Sequence, residues 1–106
     1  MTPATPAQEM CSELRIAVDH AAYAGHFPGF PILPGAVLLD EALQEIGRSR
    51  GIDLTQWRIA SVKFLETVRP GDELTMGHSA SNDATIRFVI RAASRAVASG
   101  MLSHGA

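Results

Sequence analysis

Cysteine is almost absent from this chain, which contains one such residue, Cys11, among 106. A single cysteine excludes an internal disulfide bond and a cluster of metal-bound thiolates. Long apolar runs are missing too, because no stretch approaches the roughly 20 residues that a membrane-spanning helix needs. Residues 1–12 lack the basic start and apolar middle of a signal peptide. We therefore expect a soluble, cytoplasmic protein with no membrane partner.

A large excess of charge of one sign is also missing. Nine basic and eleven acidic residues give a formal net charge of −2 at pH 7, and Lys63 is the only lysine. This balance provides no electrostatic attraction for nucleic acid or for an anionic membrane. Hydrophobic residues make up 46% of the chain and charged residues 19%, as in ordinary globular domains. At this length we expect one domain, residues 13–106, after a flexible leader over residues 1–12.

Apolar periodicity predicts the first elements. Leu14, Ile16 and Val18 alternate with polar or small neighbours, which predicts a half-buried strand. A helix is predicted over residues 35–50 and is stopped by Gly51. Its apolar residues cover more than one stripe, which is typical of a buried helix.

The second half of the chain alternates at the period of a strand. The predicted strands cover 58–66, 73–79, 84–91 and 95–103. A strand, a helix and four strands with hairpin-length connections predict an α+β fold with a largely antiparallel sheet. Five short strands cover one buried helix only if the sheet wraps around it. The exposed edges of such a sheet are commonly paired in a dimer.

A rigid loop precedes the predicted helix, and half of the six prolines lie between Gly25 and Gly35. Residues 25–40 read Gly-His-Phe-Pro-Gly-Phe-Pro-Ile-Leu-Pro-Gly-Ala-Val-Leu-Leu-Asp. This segment resembles the hot-dog 3-hydroxyacyl-acyl carrier protein dehydratases. In that family a His-Phe-x-Gly-x-Pro-x-x-Pro-Gly segment leads into the central helix, and an acidic residue follows five positions after the last glycine. Every one of these positions is filled here, with Asp40 at the acidic one.

The resemblance extends over about residues 14 to 103, and its specific part is 25–44. Small dehydratases of aryl-polyene and related pathways are most similar in chain length and in the sequence of the segment 30–40. Asp40 stands where the dehydratase/isomerase branch of the family has Asp and another branch has Glu, so isomerase activity is permitted but not demonstrated. Glu41 stands where the family usually has Ala.

The resemblance implies a hot-dog fold and dehydration of a 3-hydroxyacyl thioester, carried on acyl carrier protein or coenzyme A, without a cofactor. In that reaction His26 is the expected base and Asp40 the acid or water-orienting group. The Gly35 N–H is the expected oxyanion donor. In the family the histidine and the acid meet across a dimer interface, so we expect at least a homodimer.

Substrate contacts are expected from Phe27, Phe30 and Pro34. Each of the two phenylalanines either packs within the loop or lines the acyl pocket. Phe30 is assigned to the pocket or its mouth. The remaining histidines, His20, His78 and His104, form no metal-ligand pattern with the acids, and no metal is expected.

Other roles remain open for these residues. Asp40 also fits a partner of the helix dipole, although that effect fades after the first turn. Glu41 and Glu45 lie four positions apart and fit a solvated pair on the helix surface. Glu41 also fits the role of an alternative acid. Gly35 also fits a tight turn.

Arginines at 87, 91 and 95 either form a basic patch for an acidic carrier protein or are the solvated face of a strand, and the solvated face is favoured.

Two further functions compete with dehydration. A hot-dog thioesterase would use the acid to activate water, but such enzymes generally lack the histidine of this loop. A non-catalytic partner of another hot-dog subunit would have no chemical need for His26 or Asp40.

Overall fold

The computed structural model of the chain describes residues 10–16, 33–69, 71–82 and 84–104. These described residues form one α-helix, five β-strands and a short 3₁₀ turn over Leu54–Gln56. The elements are β1 (Met10–Leu14), α1 (Gly35–Arg50), β2 (Trp57–Phe64), β3 (Leu74–Asn82), β4 (Thr85–Ala92) and β5 (Arg95–His104). The predicted order of one strand, one helix and four strands is confirmed.

All five strands form one sheet in the order β1-β3-β4-β5-β2, and every neighbouring pair is antiparallel. Strands β3, β4 and β5 follow one another as hairpins at the centre. Strand β2 lies outside β5, and β1 lies outside β3, so these two strands form the edges. The predicted α+β architecture with an antiparallel sheet is therefore confirmed.

The first strand is displaced from its predicted position. Alternation placed it at residues 14–18, whereas β1 runs over Met10–Leu14. The partner strand explains the difference, because Leu14 pairs with Leu74, the first residue of β3, and no part of β3 lies beyond it. Residues 10–12, assigned to a flexible leader, are therefore part of the sheet.

Helix α1 has the predicted bounds, and local signals explain both ends. It begins directly after Pro34, whose extended backbone (φ −59°, ψ 142°) is not helical. It ends at Gly51, which adopts a left-handed conformation at φ 65° that glycine reaches without strain. The Ile52 N–H then donates to the Gly47 carbonyl at 3.1 Å and closes the last turn.

One stripe of α1 packs on the inner face of the sheet. Leu38, Ala42 and Ile46, each four residues apart, are at most 2% exposed. The other apolar residues of α1, such as Leu39 and Leu43, are only half-buried. The predicted burial of α1 is therefore complete for this stripe and partial for Val37, Leu39 and Leu43, which pack against the same core. The sheet contributes Leu14, Leu74, Met76, Ile86, Phe88, Ile90, Ala92, Val97, Ala98 and Leu102 to this core, and the connecting segments contribute Leu33 and Val68.

A buried polar contact fixes the C-terminal end of α1. His78 on β3 is 1% exposed. Its Nδ1 accepts a hydrogen bond from Arg50 Nε at 2.8 Å, and Arg50 Nη2 donates to the His78 carbonyl at 3.0 Å. A guanidinium only donates, so Nδ1 is unprotonated. Burial, together with the charge of Arg50, lowers the pKa of His78, while Glu45 opposes the shift. His78 is therefore neutral in the folded protein.

Glycine is required at one position of β5 by close packing. A Cβ atom at Gly100 would lie 2.6 Å from Phe88 Cζ and 2.8 Å from the backbone oxygen of Ser61. Phe88 is 2% exposed and has no room to move. We expect Gly100→Ala to lower the free energy of unfolding by about 1–3 kcal/mol, measured by urea denaturation. Gly77→Ala is the control, because nothing lies within 4 Å of a Cβ there. Equal losses at both positions would contradict this explanation.

Stability is expected to fall in mild acid because of His78. Its pKa is about 6.5 when unfolded and lower when folded, so the unfolded chain binds more protons below pH 6.5. The contribution is complete above pH 6.5 and is lost as pH falls towards the folded pKa, with a slope of at most about 1.4 kcal/mol per pH unit. The measurement is the urea unfolding free energy between pH 7.5 and 5. His78→Gln, which still accepts from Arg50 but does not titrate, should flatten the slope; an unchanged slope would remove His78 as its source.

Candidate functional site

The candidate site lies at the N-terminal end of α1, where a backbone hydrogen bond holds the chain before the helix. Leu33 is 5% exposed and its N–H donates to the Val68 carbonyl at 2.8 Å. Pro34 follows, and its carbonyl accepts from the N–H groups of Val37 and Leu38 at 3.0 and 3.1 Å. The start of the helix is thus fixed both to the segment after β2 and within its own first turn.

Two backbone donors remain available at this helix end. The first N–H groups of a helix have no carbonyl partner within it. Among the described residues, no acceptor pairs with the N–H of Gly35 or Ala36, and no side chain caps the helix. The helix dipole adds partial positive charge at the same place. This end of α1 can therefore stabilise negative charge on a bound oxygen.

An aromatic ring from β2 covers Gly35. A Cβ atom at Gly35 would lie 3.0 Å from both Cε1 and Cζ of Phe64. Phe64 pairs with buried Ala98, so its side chain is on the inner face of the sheet, yet it is 49% exposed. The sequence assigned Gly35 to the site or to a tight turn and did not single out Phe64. The alternation along β2 could have placed Phe64 on the inner face of the sheet. No local sequence signal connects Phe64 to Gly35, which lies 29 positions earlier in the chain.

Asp40 lies on the side of α1 that faces away from the sheet. It is exposed, and it stands between Leu38 and Ala42, which both pack on the sheet. Its Oδ2 accepts a hydrogen bond from Gln44 Nε2 at 2.7 Å. It lies five positions after Gly35, about 7.5 Å along the helix axis. Its carboxylate is therefore accessible and held by one neighbouring amide.

Glu41 and Glu45 do not form the solvated pair that was one of the alternatives. Glu45 accepts from Ser49 Oγ at 2.7 Å and pairs with Arg48, and the Ser49 hydrogen bond is the main cause of its lowered pKa. Glu41 lines an open groove of about 570 Å³ between α1 and β1. It therefore points into different surroundings from Asp40.

The structure places some of the predicted site residues and not others. Pro34 and Gly35 lie at the start of α1, and Asp40 lies on its second turn, on the side that faces away from the sheet. His26, Phe27 and Phe30 lie outside the described residues, so their roles stay predictions. Within the described ranges there is no group of three or more His, Cys, Asp or Glu side chains that would hold a metal. Nor does that part of the chain contain a helix long and apolar enough to cross a membrane.

Comparison of the sequence with known proteins gives matches to dehydratases. Residues 3–101 match the family model of the ApeI-like proteins, described as ApeI dehydratase. The 3-hydroxyacyl-acyl-carrier-protein dehydratase FabZ of Chlamydia trachomatis serovar L2 is 33% identical over 78 residues, which is 65% of this chain and 51% of that protein. The chain thus spans about half the length of this curated relative.

Solved structures show the fold. The dehydratase heterocomplex ApeI:P from Xenorhabdus doucetiae superposes with a TM-score of 0.73 at 23% identity, covering 97% of both chains. The (R)-hydratase from A. caviae involved in PHA biosynthesis gives 0.70 at 17% identity, covering 99% of this chain and 100% of that one. These similarities confirm the hot-dog fold. Because the family model covers nearly the whole chain, the chain belongs to the ApeI-like dehydratase family.

Proposed function

We propose that this chain removes water from a 3-hydroxyacyl thioester on acyl carrier protein and gives the trans-2-enoyl thioester. The observation that carries the proposal is an accessible carboxylate, Asp40, on the same half of α1 as the N–H groups of Gly35 and Ala36, for which the described residues offer no acceptor. Membership of the dehydratase family supports it. A coenzyme A thioester is the alternative form of the substrate. A cytoplasmic location stays a prediction from the sequence.

Three groups of the protein each have one role in the reaction. His26 takes the α-proton, for which an imidazole with a pKa near neutrality is suited. Negative charge then develops on the thioester oxygen, and the Gly35 N–H at the helix N-terminus stabilises it. Asp40 delivers a proton to the departing 3-hydroxyl, which leaves as water. The proton taken by His26 and the one given by Asp40 balance, so the reaction needs no cofactor.

Gln44 orients the acid in this scheme. Its amide donates to Oδ2 of Asp40 at 2.7 Å, which leaves Oδ1 to meet the substrate hydroxyl. Phe64 lies beside Gly35 and supplies an apolar wall at the same end of the helix. Phe27, Phe30 and Pro34 are assigned to the acyl side of the pocket by the sequence motif.

A second copy of the chain completes the site in this proposal. Asp40 faces away from its own sheet, which fits an acid that meets the histidine of another subunit. Strand β2 has a strand partner on one side only among the described residues, and Ile59 at 46%, Phe64 at 49% and Leu65 just beyond it at 53% are exposed. Exposed apolar edges of this kind are commonly covered by pairing with another sheet. We therefore assign the homodimer contact to β2.

A different subunit is the second candidate for that contact. The solved ApeI relative is a heterocomplex, so another hot-dog chain is a reasonable occupant of the β2 edge. Thioester hydrolysis remains the alternative reaction, since the same carboxylate would activate water. The two reactions differ in product, which decides between them.

Turnover of a 3-hydroxyacyl thioester tests the reaction. We expect a conjugated enoyl product, followed by ultraviolet absorbance and mass spectrometry, and a loss of at least about 100-fold in kcat for His26→Ala because the base is removed. Release of free acid would instead establish a thioesterase. Absence of turnover at every chain length, with the fold intact, would favour a non-catalytic partner.

Substitution of neighbouring carboxylates tests the acid. Asp40→Asn should lower kcat by about 100-fold or more, because the amide does not donate a carboxylic proton. Its unfolding temperature should not change, since the side chain is exposed and its one hydrogen bond to a described residue, from Gln44, is also accepted by an asparagine oxygen. Glu41→Gln is the matched control and should keep a near-normal rate. The reverse pattern would transfer the role to Glu41.

Charge placed on the β2 edge tests the dimer. Ile59→Lys combined with Leu65→Lys should convert the protein to a monomer in sedimentation velocity and abolish turnover, because two lysines would be buried in the interface. Ala84→Lys, at an exposed residue between β3 and β4, is the control. A dimer that survives the double substitution would place the interface elsewhere.

A further inference from the structure

The side chain of Phe64 lies where the protein core meets a space that is open to other molecules. Phe64 is the last residue of β2 and pairs with Ala98, which is 1% exposed. Directly paired residues project to the same face, so the ring extends from the inner face of the sheet. It is nevertheless 49% exposed. One side of this aromatic ring is therefore free to contact a ligand.

The backbone at Phe64 is held in place by strand β5. Phe64 itself is paired in the ladder between β2 and β5. The N–H groups of Leu65 and Glu66, which follow it, both donate to the carbonyl of Val97, at 2.8 and 3.3 Å. Val97 is fully buried, so this acceptor belongs to the core. The ring can thus change position only by rotation about its own side-chain bonds.

Rotation of the ring towards α1 is blocked by the backbone of Gly35. The three atoms nearest to a Cβ at Gly35 would all belong to Phe64, with Cε1 and Cζ at 3.0 Å and Cδ1 at 3.2 Å. Carbon atoms ordinarily meet at about 3.5 Å or more, so the ring rests directly on the glycine. A Cβ lies about 2.5 Å from its own backbone nitrogen. The edge of the ring is therefore within about 5.5 Å of the Gly35 nitrogen.

The Gly35 nitrogen is also the reference point for the bound acyl group. In the proposed reaction the thioester oxygen accepts a hydrogen bond from this N–H at about 2.9 Å. The carbonyl carbon follows after a bond of about 1.2 Å, and C2, the carbon that loses its proton, after a further bond of about 1.5 Å. C2 thus lies within about 6 Å of this nitrogen. The ring and C2 share the space around one atom.

We propose that Phe64 determines the acyl specificity of the site by excluding substrates that carry a substituent on C2. C2 of an unbranched 3-hydroxyacyl group has two hydrogens, and His26 removes one of them in the proposed reaction. The second hydrogen points away from the base, and the ring of Phe64 covers that side. A methyl group in its place would need about 3.5–4.0 Å from the ring carbons, which a ring resting on Gly35 does not leave free. The inference rests on the proposed function, because the position of C2 follows from the Gly35 N–H.

The flat shape of the ring suits an unbranched product as well. Loss of water creates a double bond between C2 and C3 that is conjugated with the thioester carbonyl, so these carbons become coplanar. A planar group lies against the face of an aromatic ring with several carbon contacts at about 3.5–4.0 Å. A substituent on C2 that projects towards the ring removes these contacts.

Two other large apolar side chains near the end of β2 provide a comparison. Ile59 is 46% exposed and Leu65 is 53% exposed, similar to Phe64. The three atoms nearest to a Cβ at Gly35 belong to neither of them. Leu65 therefore shares the exposure and the neighbourhood of Phe64 without its contact at the start of α1.

Competition between two substrates tests the inference. The substrates are the pantetheine thioesters of 3-hydroxybutyrate and 2-methyl-3-hydroxybutyrate, and the readout is the ratio of their kcat/KM values. The wild type should prefer the unbranched substrate at least about 10-fold, because one methyl group meets a rigid wall. Phe64→Leu should reduce the ratio, and Phe64→Ala should bring it below about 3-fold. The gained activity should be confined to one C2 epimer, because the base removes a hydrogen from one side only.

Leu65→Ala is the matched control for these variants. It removes an exposed apolar side chain next to Phe64 but opens no space at Gly35, so the ratio should stay at its wild-type value. Sedimentation velocity on each variant checks that the assembly is the same. An unchanged ratio in Phe64→Ala, equal use of both substrates by the wild type, the same change from Leu65→Ala, or equal gain of both epimers would overturn the proposal.

Binding of unreactive ligands separates this inference from the proposed reaction. The pantetheine amides of butyrate and 2-methylbutyrate offer the same carbonyl acceptor, but they have no 3-hydroxyl group to lose and they resist hydrolysis. In isothermal titration calorimetry the unbranched amide should bind at least about 10-fold more tightly than the branched one to the wild type, and less than about 3-fold more tightly to Phe64→Ala. This result without any turnover would keep the role of Phe64 and overturn dehydration. Normal dehydration with the same binding ratio in both proteins would overturn the role of Phe64 and keep dehydration.

Discussion

Packing of one helix stripe on the inner face of the sheet determines the geometry of the candidate site. Leu38, Ala42 and Ile46 bury the same side of α1. Successive residues of a helix are about 100° apart, so this choice of buried side also decides where every other residue of α1 points. Asp40 is directed away from the sheet because its neighbours two positions away on either side are buried. The proposed acid is therefore presented outward by the same contacts that stabilise the core.

The bounds of α1 were predictable because both ends are specified locally. Pro34 precedes the first residue of the helix, and Gly51, in a left-handed backbone conformation, follows the last one. Each residue determines a helix end that lies within one turn of it. The first strand was misplaced for the opposite reason. Alternation continues through Ile16, but the position of β1 depends on where β3 begins, which sequence periodicity does not contain. Local signals fix element ends, and partner strands fix which residues pair.

Contacts between distant residues could not be read from the sequence. Phe64 packs on Gly35 and Arg50 binds His78, each across 28 or more positions of the chain. Neither pair belongs to a motif. The dehydratase motif, in contrast, named Gly35 and Asp40, and the structure places both in the first half of α1. The role of His26 stays a prediction from that motif.

The described outer face of β2 to β5, opposite α1, carries the cations Arg58, Lys63, Arg87 and Arg91 and no acid, which affects how copies of the protein behave at high concentration. Here, two copies approaching face to face bring like-charged rows together and repel each other. Added salt shortens the range of that repulsion to about 8 Å at physiological ionic strength and to about 3 Å at 1 M. Solubility at high concentration is therefore expected to depend on arginine and lysine side chains that lie outside the buried core.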